Sequence, residues 1–411
     1  MLNAILICIG DELLIGQTVN TNAAWMGSAL NQHGIRVLES VAIADDPEAI
    51  VLAMEHALER ASIVLMTGGL GPTKDDLTKH TLARFFNQEL CINQEVLARI
   101  KAYFESRGLP FLPSNASQAE LPAGCRVIHN YRGTASGMWF EHQNRVVVSM
   151  PGVPYEMQGM MTDEIIPALC DKFKCPTIVH RTILTTGVGE SFLADRIAAW
   201  EESLAADEIK LAYLPSPGMV KLRMSVYGGT PHQREVMQRR EAELLDMLGD
   251  VVYGFDDDTL ITVVARRLTE MGATLSAAES CTGGRISYEL TSVAGSSAYF
   301  LGGVVTYHAN LKSALIGVDE GLIREYGVVS REVAMAMASG VKHTCQSDYA
   351  ISVTGVAGPD SLEGKPVGYL WIGVSTPERT FAQDFQFGRS RQNNISMATW
   401  AALNLLRKEI L

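Results

Sequence analysis

Ser280 lies in the run Ala277-Ala278-Glu279-Ser280-Cys281-Thr282-Gly283-Gly284. A strand-like segment, Ala273–Ala278, precedes it, and a helical pattern over Ser280–Leu290 follows. The hydroxyl is therefore expected at a strand-to-helix junction. A helix start offers unpaired N–H groups and a positive dipole end, which can meet an oxyanion or a phosphate. Gly283 and Gly284 would let a ligand approach the backbone. The same run also reads as an ordinary serine N-cap followed by a flexible glycine pair. A serine hydroxyl is a weak nucleophile and needs a base. Tyr307 and Lys312, in Thr306-Tyr307-His308-Ala309-Asn310-Leu311-Lys312, are the available types. A partly buried lysine can have its pKa lowered enough to accept a proton, or can hold a tyrosine that does so. A lone lysine is otherwise a solvated helix residue. Cys281 is a rival nucleophile, because a thiolate is intrinsically stronger, but no His stands in the motif to activate it. Further on, a strand runs into the turn Val353-Thr354-Gly355-Val356-Ala357-Gly358-Pro359-Asp360, whose amides could face a ligand.

A second constellation lies near the start of the chain. Gly10-Asp11-Glu12 and Asn20-Thr21-Asn22 accompany a glycine-rich run, Thr67-Gly68-Gly69-Leu70-Gly71-Pro72-Thr73-Lys74-Asp75-Asp76. Amides of such a loop can cradle a phosphate, and its carboxylates can hold a bridging divalent cation. A diphosphate repels an incoming nucleophile, and metal charge with a positioned water answers that difficulty. Asp75 and Asp76 also read as a helix N-cap complementing the dipole.

The elements that must position these residues form two stretches of alternating strand and helix. Strands are expected at Ile5–Ile9, Ile35–Ile43 and Ile63–Met66, with helices at Asn22–Gln32 and Pro47–Arg60. This βαβ alternation predicts an α/β fold with a parallel sheet covered on both faces, and ligands beyond the strand ends. Ile178–Thr185, Val220–Val226 and Gln233–Leu248 read as a small α+β connector, and Phe255–Asp258 as a linker or helix cap. The alternation restarts at Leu260–Met271 and runs through Ser330–Thr344, Tyr349–Thr354 and Tyr369–Val374 to a last helix from Asn393. The expected domains are 1–165, 166–255 and 256–411.

Composition bounds the possibilities. A chain of 411 residues, 47% hydrophobic and 19% charged, needs more than one core and is not disordered. A net charge of −12 with no basic run argues against general binding of nucleic acid or anionic membrane. The seven cysteines are scattered without a CxxC pair, so free thiols in a reducing cytoplasm are expected. Asp11 and Glu12 interrupt the apolar start, which reads as a buried strand and not a signal peptide. No uncharged apolar stretch reaches the ~20 residues of a membrane span.

The motifs ESCTGG (279–284), AGSSAYF (294–300), the Thr306–Lys312 run, VTGVAGPD (353–360) and KPVGYLWI (365–372) resemble, in order and spacing, the CinA C-terminal domain over about 258–411. The resemblance implies a nicotinamide mononucleotide deamidase with Ser280 as nucleophile, Lys312 and Tyr307 as its activating pair, and no cofactor. It also implies phosphate contacts from the glycine-rich loops and from Arg389 or Arg391. The chain departs from the pattern at Thr354, at Tyr369 and in the shortened insert Ser361–Gly364. The first 165 residues resemble the three-layer α/β molybdopterin-binding fold of MoaB, MogA and MoeA. Pro151-Gly152-Val153-Pro154 and Pro113-Ser114-Asn115 make them similar to the CinA N-terminal domain. That implies ADP-ribose hydrolysis with Mg2+ or a similar ion, using Asp11, Gly68, Gly69, Gly71, Thr73, Asp75 and Asp76. Here Ala116-Ser117 replace a usual basic pair, and Ser136 a usual proline; Arg132 is placed to compensate for the missing charge. A homodimer is also implied. The competing readings are a non-catalytic competence-related scaffold, or pterin-nucleotide binding without hydrolysis.

Overall fold

A computed structural model describes residues 2–71, 73, 76–176 and 178–410. It divides into two compact units. The first runs up to Ile178 and includes Tyr227–Gly229; the second holds Val179–Val226 and everything from Thr230.

In the first unit, six strands lie in the order Arg36–Ile43, Asn3–Ile9, Ile63–Thr67, Arg145–Met150, Gly137–His142, Arg126–Ile128. The first four are mutually parallel, as expected from the alternation. The last two join antiparallel, so the sheet is mixed. The reversal comes from a tight turn at Gln143-Asn144, both at positive φ, which fits the twist of a two-residue hairpin. Period-two alternation divides the central strand between two cores. Ala4, Leu6 and Cys8 join one with Met26 and Leu30, while Ile5, Ile7 and Ile9 join the other with Ile50 and Met54. Asp46 caps the helix Pro47–Arg60 by accepting from the Ala49 N–H at 2.9 Å, with proline in the first turn where its missing donor costs nothing. The helix Ile166–Phe173, beyond the boundary expected at 165, packs Ile166 and Leu169 into this unit's core.

The second unit contains two sheets. Four strands stand in the order Lys210–Ser216, Met219–Tyr227, Ile178–Thr186, Val252–Phe255, covered by the helices Glu190–Ser203 and Pro231–Leu248. Five more follow in the order Phe300–Val305, Leu275–Glu279, Tyr349–Gly355, Tyr369–Ser375, Thr380–Gln386. The first three of these are parallel and the last two antiparallel. Helices Leu260–Met271 and Arg391–Ile410 cover one face, and Arg331–Cys345 the other. Arg407, 1% exposed, links the two sheets: its guanidinium donates to the carbonyls of Asp250 and Val252 at 2.6 and 3.1 Å. Among the described residues no helix is long and apolar enough to cross a membrane.

Candidate functional site

The strand Leu275–Glu279 is second in its sheet, beside the central strand Tyr349–Gly355, and Ser280 follows at once, its N–H bonded to the Val353 carbonyl of that strand at 3.0 Å. The helix expected to open at Ser280 begins instead at Arg285, after a turn through Cys281–Gly284. Gly283 and Gly284 adopt φ of 62° and 99°, left-handed values that a side chain would resist. The reason for the delay is Glu279, fully buried beneath the turn. One carboxylate oxygen accepts from the Gly284 and Ile286 N–H groups, both at 3.0 Å; the other accepts from the Ser287 N–H and hydroxyl at 2.9 and 2.7 Å. The helix-start amides expected to face an oxyanion or phosphate are thus occupied. The turn amides of Cys281 and Thr282 make no hydrogen bond to other described residues.

Lys312, on the helix Ala309–Ile316, is 1% exposed, and its Nζ donates to Ser280 Oγ at 3.2 Å and to the Thr306 carbonyl at 2.6 Å. Burial drives its pKa down to about 8, against the opposing influence of the Cys281 thiol and the Glu363 carboxylate. A neutral amine can then take the Ser280 proton near physiological pH. Burial pushes the Cys281 thiol up to about 12, so the neighbouring sulfur stays protonated.

Ser280, Lys312, Tyr307, Thr354, Gly355, Gly358 and Arg391 line one cavity of about 540 Å³, together with His308, Asp360 and Glu363. Tyr307, 59% exposed, accepts from Arg391 Nη2 at 3.0 Å, while among the described residues Lys312 is the one that holds the Ser280 oxygen. Arg391 also donates to the Gly358 carbonyl. The Thr354 hydroxyl is committed to the Val328 carbonyl at 2.7 Å. Gly283 and Gly284 shape the turn from outside this cavity, and Arg389 lines a neighbouring one with Pro359, Pro366 and Gln386.

In the first unit, Gly68, Gly69, Gly71 and Asp76 line a cavity of about 450 Å³ with Glu12, Asp45, Gln118 and Glu156. Asp11 is not in its wall; its N–H donates to Asp45 Oδ2 at 3.2 Å. Thr73 N–H donates to Asp76 at 2.8 Å, closing the loop on itself. Asp75 lies outside the described residues. Burial raises the pKa of Asp45 against the opposing hydrogen bond from the Asp11 N–H, and the Asp11, Glu12 and Asp76 carboxylates add to the rise. Sequence reasoning missed Asp45, because nothing in Ala44-Asp45-Asp46-Pro47 separates it from the adjacent helix cap. Among the described residues no group of three His, Cys, Asp or Glu side chains is arranged to hold a metal ion. They do not by themselves form the cation site expected here.

Residues 257–410 match the CinA C-terminal domain, 180–254 the damage-inducible protein CinA KH domain, and 5–171 a family described as "Probable molybdopterin binding domain". The connector of the sequence reading is therefore similar to a KH domain. CinA-like proteins of Flavobacterium psychrophilum and Cytophaga hutchinsonii are 42% and 41% identical to the chain, covering 100% and 98% of it and 99% and 97% of their own lengths. A CinA-like protein of Salinibacter ruber is 39% identical, with both chains covered completely. With a glycine-rich cavity on a molybdopterin-binding fold at one end and a serine–lysine cavity on the matching C-terminal fold at the other, the chain belongs to the CinA family.

Proposed function

We propose that the second unit is an amidohydrolase that converts nicotinamide mononucleotide and water into nicotinate mononucleotide and ammonia. The observation that carries this reading is the 3.2 Å contact from a buried, pKa-lowered Lys312 to Ser280 Oγ. Neutral Lys312 takes the hydroxyl proton while the Thr306 carbonyl fixes its amine. Ser280 Oγ attacks the carboxamide carbon, and the oxygen of the tetrahedral intermediate turns toward the Cys281 and Thr282 amides. Lys312 returns the proton to the departing nitrogen, which leaves as ammonia. Water then enters and gives a proton to Lys312 as it attacks the acyl-serine; Lys312 passes that proton to the departing Ser280 oxygen, which restores the hydroxyl and the neutral amine, and the acid product leaves as the carboxylate with its proton lost to solvent. In this reading the phosphate is met by Arg391, whose side chain lines the same cavity. Ammonia release from nicotinamide mononucleotide, by the parent and by Ser280→Ala, tests the reading. No release by the parent would defeat it and favour a binding scaffold, and equal release by both would take the reaction away from Ser280.

A further inference from the structure

The cavity around Ser280 carries both signs of charge. Lys312 and Arg391 are set against Asp360 and Glu363. Lys312 is engaged with the nucleophile, and Arg391 with Tyr307 and Gly358. Glu363 is held differently. Its carboxylate accepts from the Val328 N–H at 3.3 Å, and a Cβ added to Gly327 would lie 2.4 Å from Glu363 Oε2. The side chain therefore reaches from the loop after Pro359 to the turn before the helix Arg331–Cys345, where Val328 and Val329 also line the cavity. Its backbone sits at φ 50°, a left-handed conformation unusual for a glutamate, in the segment where the chain departs from the family's glycine-rich insert. Among the described residues this carboxylate has one hydrogen bond, from that neutral N–H, and no cation in an ion pair with it. Its charge is felt at the Lys312 amine.

An exposed carboxylate at the cavity's rim, held by one N–H and without a cation of its own, favours a ligand that brings one. Resting on the amidohydrolase reading above, we propose that Glu363 determines specificity. It supplies the counter-charge for a positively charged ring, so the cavity prefers a carboxamide on an N-substituted pyridinium to the same carboxamide on a neutral ring. Glu363 and Arg391 then match the two ends of a zwitterion, a cationic ring with an anionic phosphate. A carboxylate facing a cation a few ångströms away in partly screened surroundings changes affinity by about five- to tenfold.

The test compares the parent with Glu363→Gln, which keeps an acceptor for the Val328 N–H and loses only the charge. Nicotinamide mononucleotide is the cationic substrate. Its dihydropyridine form, neutral in the ring and otherwise alike, serves as competitive inhibitor. The expected result is a rise of about fivefold or more in KM for the cationic substrate, with kcat held to within about twofold and the inhibition constant of the neutral form unmoved. Equal weakening of both compounds would reduce Glu363 to a strap that shapes the loop. A change confined to kcat and its pH profile would mean that it acts only through Lys312. Either result overturns the proposal, as does no change at all. If the parent released no ammonia, the functional reading would fail separately. Calorimetric titration with the two ring forms would then decide, since a preference for the cation that vanishes in Glu363→Gln sustains the proposal and its absence refutes it.

Discussion

Lys312 Nζ touches two oxygens, the Ser280 hydroxyl at 3.2 Å and the Thr306 carbonyl at 2.6 Å. The second contact fixes the amine whether or not it carries a proton, and the first makes that proton state matter for chemistry. Ser280→Ala is expected to lower deamidation by at least ~1,000-fold with folding preserved, because nucleophile activation contributes orders of magnitude. Lys312→Ala should be comparably severe, and the double variant little worse than either, since the two act as one unit. Cys281→Ala should retain most activity. Single-turnover ammonia release by the four proteins measures this; an active Ser280→Ala beside a dead Cys281→Ala would reverse the assignment.

Deamidation should rise with pH through about 8, as Lys312 loses its proton. A stability effect accompanies it. The folded value lies below the ordinary lysine value of about 10.4, so between the two the unfolded chain binds a proton that the folded chain does not. Stability is gained as pH rises through that window. Lys312→Met should lack this increment, read as Tm against pH from about 7.5 to about 10. Parallel curves for the two proteins would show that the amine is not perturbed.

Glu279→Gln should act on the turn and not on the base. A carboxamide can satisfy some of the four donors that Glu279 accepts from, but it turns an NH2 group toward the rest. Buried donors left without partners cost about 1–3 kcal/mol each. We expect a lower Tm and at least ~10-fold lower kcat, with the midpoint of the pH profile unchanged. A variant as stable as its parent would contradict the account of the delayed helix start.

Asp45→Asn should stabilise the first unit at neutral pH. The folded state holds the Asp45 proton more tightly than the unfolded chain does, so ionisation above the ordinary value of about 3.9 works against folding. The gain should disappear as pH falls below that value. Urea midpoints at neutral and acidic pH measure it, and a destabilised variant at neutral pH would refute it.

Chain excision at 256 should weaken the catalytic portion relative to a fragment beginning at 179. Arg407 would lose the Asp250 and Val252 carbonyls that its guanidinium donates to in the full chain. Arg407→Leu should narrow the gap between the fragments. Equal thermal stability of the two fragments would show that the link is dispensable.

Residues that declare their chemistry locally were legible in the sequence. Ser280, Lys312, Arg391 and the glycines of the Val353–Asp360 turn meet in one cavity, and the strand Asn3–Ile9 and helix Pro47–Arg60 form where periodicity and caps place them. What escaped depends on distant partners. Glu279 reads as one more polar residue before a serine until four donors close around it. Asn22, read as a helix start beside the glycine-rich run but with no partner assigned, is buried with its amide donating to Thr67 Oγ1 and the Gly152 carbonyl, 45 and 130 residues away. The antiparallel end of the first sheet depended on a two-residue turn, Gln143-Asn144, that lacks the usual glycine.

The strand Asn3–Ile9 sends alternate residues into two aliphatic cores of similar character, so hydrophobicity alone would tolerate its sliding by one position. Such a slip would exchange every side chain between the cores with little change in buried apolar area. Fidelity of pairing must come from polar contacts at the strand's end. Asn3 provides them, with Oδ1 accepting from the Ser62 N–H at 3.0 Å and Nδ2 donating to the Arg60 carbonyl at 3.4 Å, immediately before the partner strand begins at Ile63. A single amide at the rim thus acts as the detent that indexes the whole sheet, and the cores can drift in sequence as long as that notch is kept.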